Sequence, residues 1–321
     1  MRRYGLVALS ALVVLALSLC SCSGPSPPAT GTGIVVRVVA TQGFGGELLF
    51  DEAVEVAPGT SAMAALAQVA EVETAYGGGF VNAIDGVSSQ YTGSGGAKQD
   101  WFFYVNGISS RKGAADYTLH DGDTQHWDFH QWDFRMSVPA IVGDFPQPFV
   151  DGYGGQAWPT VVVYEDGLEE AAQELEGALA ALGVVDVSSQ HWDSLTADCT
   201  QGCNLVCLGL PASDMVSELN AIWDRLGFFV HFEGDTMVVY DAGGEVEARY
   251  EAGCGLVQAT QSPWHPGGVG ACQGVVWVVS GTDEAGVRGA VDALLTRQDE
   301  MRYAFAIVVD TDSGEIVRVP R

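Results

Sequence analysis

Trp101-Phe102-Phe103-Tyr104-Val105-Asn106-Gly107-Ile108 is the stretch that decides the fold of the first part of this chain. Its aromatic and β-branched residues favour an extended strand. Asn-Gly directly after such a strand is a strong signal for a type I′ hairpin turn, because both residues tolerate positive φ. The stretch therefore predicts a strand over Asp100–Val105 that reverses at Asn106 and Gly107.

The residues on either side of this hairpin predict a small sheet with one helix packed on it. The predicted strands are Ile34–Ala40, Glu47–Val56, Phe80–Ile84, Asp100–Val105 and Thr124–Phe134. Thr60 and Ser61 are typical of a helix start, and an apolar stripe from Met63 to Ala70 follows at helical spacing. The Gly-rich run 77–79 predicts the end of that helix.

The second half of the chain alternates predicted strands with predicted helices. The strands are Thr160–Tyr164, Val184–Val187, Asn204–Leu210, Val275–Ser280 and Ala304–Asp310; the helices are Gly167–Leu182, Ser213–Leu226 and Asp283–Leu295; Phe228–Gln261 is rich in β-formers. Such alternation implies an α/β domain with a mainly parallel sheet. We therefore predict an α+β protein with one domain at residues 34–136, a Pro- and Gly-rich connector at 137–158 and an α/β domain at 159–321.

The N-terminus is typical of an exported protein. Arg2 and Arg3 precede an apolar run that is too short to span a bilayer but suits a signal peptide, predicted here as residues 1–21. The residues that follow resemble a bacterial lipobox, with Cys22 as the predicted lipidation site, since small Ser21 precedes it whereas bulky Leu19 precedes Cys20. Residues 22–33 are predicted to be a flexible tether. We expect a protein held on the extracellular face of the cell membrane; an ordinary signal peptide is the alternative.

The net charge of −27 argues against a nucleic-acid partner, because so acidic a surface repels phosphate backbones. A solvated extracellular surface is its simplest interpretation.

Five cysteines follow the lipobox region, all in the second half of the chain. In an oxidising exterior an even number of them should pair. Cys207 sits in a buried strand pattern and is expected to be the free thiol. The other four allow three pairings, of which we favour Cys254 with Cys272 and Cys199 with Cys203. A zinc site at Cys199, Cys203 and Cys207 is the rival interpretation.

Several motifs of the first part, in the same order, resemble the transcobalamin C-terminal-like domain, a β-grasp module that bacteria often carry on lipoproteins. They are Thr60–Leu66, Ile84–Ser89, Trp101–Ile108, Gly113–Asp123 and Trp127. The resemblance covers about 100 residues and implies a β-grasp-like fold for residues 34–136. In vertebrate vitamin carriers this module covers one face of cobalamin and a helical barrel covers the other. This sequence has no such barrel.

A second set of motifs is similar to an α/β module of archaeal surface-layer and related envelope proteins. It comprises Asn204–Pro211, Gly255–Trp264 and Val278–Val291. This resemblance implies a structural or interaction role in the cell envelope rather than a reaction.

The most unusual segment of the chain is His126-Trp127-Asp128-Phe129-His130-Gln131-Trp132-Asp133. On a strand, His126, Asp128 and His130 share one face. These three side chains could hold a divalent metal together with His120 or Asp123. The alternative is a solvated strand face, with the aromatic side chains forming the core on the other side. A third interpretation, preferred to a metal, is a flat aromatic platform for a planar ligand such as a corrin, a haem or a sugar ring. Its candidate residues are Trp101, Tyr104 and either Trp127 or Trp132, and the last two share a face only if a bulge intervenes.

Nothing in the sequence supports catalysis. Ser280-Gly281-Thr282-Asp283 lacks the flanking residues of a nucleophile or phosphate loop, and a helix cap explains it.

The leading hypothesis is a non-enzymatic surface lipoprotein that binds a ligand, with a cobalamin-like tetrapyrrole as the best candidate and a membrane importer as its partner. The alternative is an adhesive or cell-wall interaction protein that recognises a protein or glycan.

Overall fold

The structure, a computed structural model, describes residues 33–91 and 97–321. The predicted signal peptide, Cys22 and all of the predicted tether but Gly33 lie outside the described residues. The strands are β1 (Ile34–Gln42), β2 (Glu47–Val56), β3 (Val72–Ala75), β4 (Phe80–Ile84), β5 (Val87–Ser88), β6 (Gln99–Val105), β7 (Ile108–Ser109), β8 (Thr124–Gln131), β9 (Thr160–Tyr164), β10 (Val187–His191), β11 (Asn204–Leu208), β12 (Val230–Glu233), β13 (Thr236–Tyr240), β14 (Val246–Tyr250), β15 (Cys254–Gln261), β16 (Val275–Gly281), β17 (Ala306–Asp310) and β18 (Ile316–Val319). The helices are α1 (Ala62–Val69), α2 (Glu169–Ala181), α3 (Ala197–Gly202), α4 (Asp214–Asn220), α5 (Glu284–Thr296) and α6 (Gln298–Met301). The protein is therefore of the α+β class, and no helix in the described ranges is long and apolar enough to cross a membrane.

The N-terminal sheet has the strand order β2-β1-β8-β6-β7, with β1 and β8 parallel and the other neighbours antiparallel. Helix α1 packs on one of its faces through Ala62, Ala65 and Leu66. The side chain of Ser61 caps the helix by accepting a hydrogen bond from the amide of Ala64 at 3.2 Å. The start of the helix is thus as predicted.

The predicted end of α1 is wrong. The helix stops at Val69, because the chain turns into an extended conformation at Ala70 and continues as β3. Glu71 is held there by a hydrogen bond from its amide to the carboxylate of Asp85, at 2.8 Å. The Asp85 turn therefore ends the helix before the glycine run is reached.

The Asn106-Gly107 turn has the geometry that the sequence predicts. Both residues have positive φ, 51° and 74°, and Val105 pairs with Ile108 across the turn. Asn106 is also fully buried, and its side-chain amide binds Asp123, Gly152 and the amide of Thr124. The turn thus joins three segments of the chain as well as two strands.

The C-terminal sheet has the order β10-β9-β11-β16-β15-β17-β18. The first four strands are parallel, whereas β15 and β18 run against their neighbours. The sheet is therefore mixed, whereas the sequence predicts a mainly parallel sheet. The difference arises because β15 and β16 are joined by a loop, not by a crossover helix, and because the unpredicted strand β18 forms a hairpin with β17.

Residues 137–158 are not a free linker. Ile141, Val142 and Phe149 are buried, and the amide of Ile141 donates to the carbonyl of Gly107 at 2.9 Å. Residues 33–321 form one compact unit by their contacts, and the connector falls inside it. The division into two domains stays a prediction. The face of the N-terminal sheet opposite α1 is covered by the C-terminal half.

Candidate functional site

Strand β8 presents His126, Asp128 and His130 on one face and Trp127 and Phe129 on the other. The alternation is as predicted, but the polar face is not solvated. His126 and Asp128 are fully buried and His130 is 4% exposed. The C-terminal half covers this face, so a pattern that suggests exposure on an isolated sheet is buried in the folded chain.

The carboxylate of Asp128 is the centre of this face. Its Oδ1 accepts from Nδ1 of His130 at 2.6 Å and from the amide of Phe44 at 3.0 Å. Its Oδ2 accepts from the hydroxyl of Thr41 at 2.6 Å and from the amide of Gly45 at 2.9 Å. Burial acts to raise the pKa of Asp128, but the hydrogen bonds that it accepts from His130 and Thr41 act in the opposite direction, and the pKa is lowered. Asp128 is thus a buried, ionised carboxylate.

The hydrogen bonds also assign protons on His126. The single proton of the Thr41 hydroxyl is given to Asp128, so the Thr41 oxygen must accept from Nε2 of His126, 2.9 Å away. Nδ1 of His126 lies 3.0 Å from Oδ1 of Asp144, and this pair shares a further proton. Both nitrogens of His126 and both oxygens of Asp128 are therefore engaged.

The ring of His130 is clamped between two aromatic rings. It stacks on Phe102 at 4.1 Å and on Phe44 at 4.3 Å, and Phe305 meets it edge-on at 5.4 Å. Because Nδ1 donates to Asp128, the tautomer and orientation of the ring are fixed. Nε2 is the nitrogen left over, and His130 forms part of the wall of an open cleft. The imidazole is thus rigid and almost fully buried in the wall of that cleft, with 1% of its side chain exposed.

We call this space the imidazole cleft. It has a volume of about 670 Å³ and lies beside the ends of β1, β6 and β8, where the N-terminal sheet meets Ala242 and Arg321 of the C-terminal half. The residues that give it its chemical character are Gln42, Phe44, Gln90, Gln99, His130 and Gln131. Glutamine amides are thus the most frequent polar side chains, Glu47 and Arg321 are the charged ones, and phenylalanine rings supply apolar wall. Its volume is within the range of about 300–1,000 Å³ typical of small-molecule sites.

The candidate metal ligands do not form a metal site. Within the described part of the chain, no group of three His, Cys, Asp or Glu side chains has a metal-binding arrangement. Asp123 instead accepts hydrogen bonds from Asn106 and from the amide of His120. His126 and Asp128 have no free lone pair for a metal, because their own hydrogen bonds use them.

The predicted aromatic platform is split between the two faces of the sheet. Trp101 and Trp127 lie on the helix face with Phe103, on which Trp127 stacks at 4.6 Å. Tyr104 lies on the opposite face, fully buried against Phe305. Tyr104 is three residues after Trp101 on the same strand, so the two side chains must point to opposite faces of the sheet. A platform containing both Trp101 and Tyr104 is therefore wrong.

Trp132 lies beyond the end of β8. Its indole nitrogen donates to the carboxylate of Asp100 at 2.8 Å, and its ring contacts Tyr91 and the ammonium group of Lys98. No bulge in the pairing of β6 with β8 brings it onto the face of Trp127. Trp132 therefore stands apart from the other candidates.

The favoured pairing of Cys254 with Cys272 is wrong. Cys254 is the first residue of β15, whereas the amide of Cys272 binds the side chain of Gln261, the last residue of that strand. The length of β15 puts the two cysteines on the order of 20 Å apart. A disulfide needs Cα atoms within about 7 Å.

The remaining cysteine predictions concern α3 and β11. The sulfur atoms of Cys199 and Cys203 lie 3.1 Å apart as thiols, so the two side chains meet, and their pairing stays a prediction. Burial raises the pKa of Cys203 to about 12. Cys207 is buried, and its thiol is free like those of the other four cysteines of the second half, so its role as the unpaired cysteine stays a prediction. It faces the core from β11, and the three cysteines form no zinc-binding group.

Sequence reasoning missed most of the residues that hold His126, Asp128 and His130 in place. Thr41, Phe44, Phe102, Asp144 and Phe305 come from four separate segments and have no common spacing. One signal was available in Gly43-Phe44-Gly45-Gly46, where Phe44 adopts a left-handed φ of 60°. Gly45 is required there, because a Cβ atom would overlap the carbonyl of Tyr303. This turn delivers the two amides that bind Asp128.

The comparisons with known proteins concern the same N-terminal segment. A family model described as a domain of unknown function, DUF4430, matches residues 59–131, which run from the start of α1 to the end of β8. The match covers well under half of the chain. No curated protein sequence matches the chain.

Two solved structures show weak similarity to 30% of this chain. One is a candidate metal-binding protein from Ruminococcus gnavus ATCC 29149, 14% identical, covered over 97% of its length, with a TM-score of 0.24. The other is haptocorrin in complex with Cbi, 16% identical, covered over 25% of its length, with a TM-score of 0.25. Scores at this level establish neither fold nor function for this chain.

Proposed function

We propose that this protein is a non-enzymatic binding protein, anchored by a lipid on Cys22 at the outer face of the cell membrane, whose imidazole cleft holds a small ligand. The observation that carries the proposal is the rigid presentation of His130. A buried carboxylate fixes its tautomer, two aromatic rings fix its plane, and His130 lines a cleft of ligand size. Such preorganisation is what a binding site needs.

A cobalamin-like tetrapyrrole is the ligand that we propose first. The β-grasp-like fold that we propose for residues 34–136 is the part of the chain that resembles the cobalamin-carrier module, and it supplies most of the imidazole cleft. The glutamine side chains around the cleft can donate to and accept from the amide groups on the rim of a corrin. Nε2 of His130 suits the metal at the centre of such a ring. A membrane importer would then receive the ligand.

Binding is favoured over catalysis by the surroundings of His130. An Asp–His pair can also serve as a general base, and Ser88 lines the same cleft. However, the Ser88 hydroxyl donates to the carbonyl of Gly86 at 3.5 Å and makes no hydrogen bond to His130 among the described residues. The pair therefore lacks an aligned nucleophile.

Titration of the purified protein with cyanocobalamin and with haem, followed by absorbance and calorimetry, tests the proposal. We expect saturable binding of at least one of them. His130→Asn keeps an amide donor for Asp128 but removes Nε2, and it should weaken binding at least about tenfold, or about 1.4 kcal/mol. His191→Asn is the matched control and should bind normally, since His191 lines no part of the cleft.

Absence of tetrapyrrole binding by the folded protein would contradict the ligand assignment and favour the adhesive alternative. The anchor has a separate test. Cys22→Ser should release the protein from the membrane fraction, and mass spectrometry of the native protein should find acyl chains on Cys22. An unmodified protein that stays in the cytosol would contradict the proposed location.

A further inference from the structure

A second cleft lies on the helix face of the N-terminal sheet, on the other side of the sheet from His126 and Asp128. We call it the aromatic cleft. Its volume is about 220 Å³, and its lining includes Trp101, Phe103 and Trp127, whose rings we call its floor. Met63 of α1 and Phe80 of β4 also line it. Trp101 and Trp127 are buried, whereas Phe103, which stacks on Trp127, is half-buried and is the accessible ring of this floor.

Arg111 and Lys112 also line the aromatic cleft, and we call these two residues its rim. They are the one adjacent pair of cationic residues in the described part of a chain with a net charge of −27. Both side chains are exposed, and neither forms an ion pair with a described residue. No Asp or Glu is among the described residues that line the cleft. The cleft is thus a local positive site on an acidic protein.

We propose that the aromatic cleft binds a small planar carboxylate, with its ring on Phe103, which is backed by Trp127, and its carboxylate at Arg111 and Lys112. The flat floor selects for an aromatic body. Two unpaired cations at the rim select for a negative group, since charge-assisted hydrogen bonds are the stronger kind. The volume is below that of typical drug-sized sites and limits the ligand to one or two fused rings.

This site is independent of the imidazole cleft. The two clefts have no lining residue in common, because they lie on opposite faces of strands β6 and β8, and Trp127 points away from His126 and His130. The aromatic cleft is also too small for a tetrapyrrole. Occupation of one cleft can therefore be measured without the other.

Calorimetric titration of the purified protein with 2-naphthoate and with its neutral isostere 2-naphthamide tests the proposal. We expect saturable binding of 2-naphthoate, with an affinity at least about tenfold higher than that of the amide. Added NaCl should reduce this difference, because salt screens exposed charges. Arg111→Ala combined with Lys112→Ala should abolish the preference, whereas Arg225→Ala, which removes an exposed arginine elsewhere, should not.

The Phe103→Leu variant tests the contribution of the floor separately from that of the two cations. It should weaken the binding of both probes by a similar factor, because it removes the stacking surface and leaves both cations in place. Equal affinity of the wild-type protein for acid and amide, or no saturable binding of 2-naphthoate, would overturn the proposal. So would a preference for the acid that survives loss of both cations.

Discussion

At the residue scale, Asp128 determines how the buried face of β8 is held together. Four donors converge on its two oxygens: the ring of His130, the hydroxyl of Thr41 and the amides of Phe44 and Gly45. Without the negative charge, these four donors would face a neutral group in a site that water does not reach. Breaking such a buried pair costs about 3–5 kcal/mol.

Asp128→Asn is therefore expected to lower the free energy of unfolding by about 3 kcal/mol at neutral pH. Because the folded pKa of Asp128 is lowered, its ionised form stabilises the protein above its unfolded pKa, about 3.9. That stabilisation is lost as pH falls through the folded pKa, so the difference between wild type and variant should shrink in acid. Urea unfolding at several pH values measures it, with the exposed Asp235→Asn as control. A loss that is the same at all pH values would contradict an ionised Asp128.

At the element scale, the hairpin of β6 and β7 depends on Asn106 in two ways that can be separated. Its backbone has a φ of 51°, which costs most residues about 1–2 kcal/mol. Its side chain makes buried hydrogen bonds to Asp123, Gly152 and Thr124. Glycine removes only the second contribution, whereas alanine removes both.

Asn106→Ala should therefore be less stable than Asn106→Gly by about 1 kcal/mol, and both should be less stable than the wild type. Thermal and urea unfolding of the three proteins provide the comparison. Equal stability of the two variants would show that the turn does not require a left-handed residue at this position.

The same elements show how far the sequence predicts the structure. Glu47–Val56, Phe80–Ile84 and Thr160–Tyr164 were predicted with the observed bounds, because local alternation and turn residues determine them. The alternation of β8 was also predictable. What covers each face was not, since burial of a polar face depends on a segment far away in sequence. Phe305, which packs against both Tyr104 and His130, has no local signal at all.

At the scale of the whole molecule, Asp51 of β2 connects the N-terminal sheet to the C-terminal half. Its carboxylate binds Nε of Arg37 at 2.7 Å, a guanidinium nitrogen of Arg302 at 3.0 Å and the hydroxyl of Tyr303 at 2.6 Å. Burial acts to raise the pKa of Asp51, but the hydrogen bonds of Arg37 and Tyr303 lower it overall. These contacts join strands β1 and β2 to the segment before β17.

We therefore expect residues 33–321 to unfold as one cooperative unit. Tryptophan fluorescence reports on both halves, through Trp127 and Trp277, and far-ultraviolet circular dichroism reports on all helices. The two probes should give coincident transitions. Two separated transitions would contradict cooperative packing of the halves and support the predicted two-domain division. Asp51→Asn should lower the midpoint without separating the transitions.

The central claim is that His130 presents a free Nε2 to a ligand in the imidazole cleft. Histidine-ring ¹⁵N nuclear magnetic resonance of the purified protein, at about pH 8, observes this nitrogen directly. Without ligand, Nδ1 of His130 should carry the proton, and on saturation with cyanocobalamin the Nε2 resonance of His130 should shift while that of His191 stays in place. An Nε2 resonance that remains unchanged at saturating ligand would contradict the account.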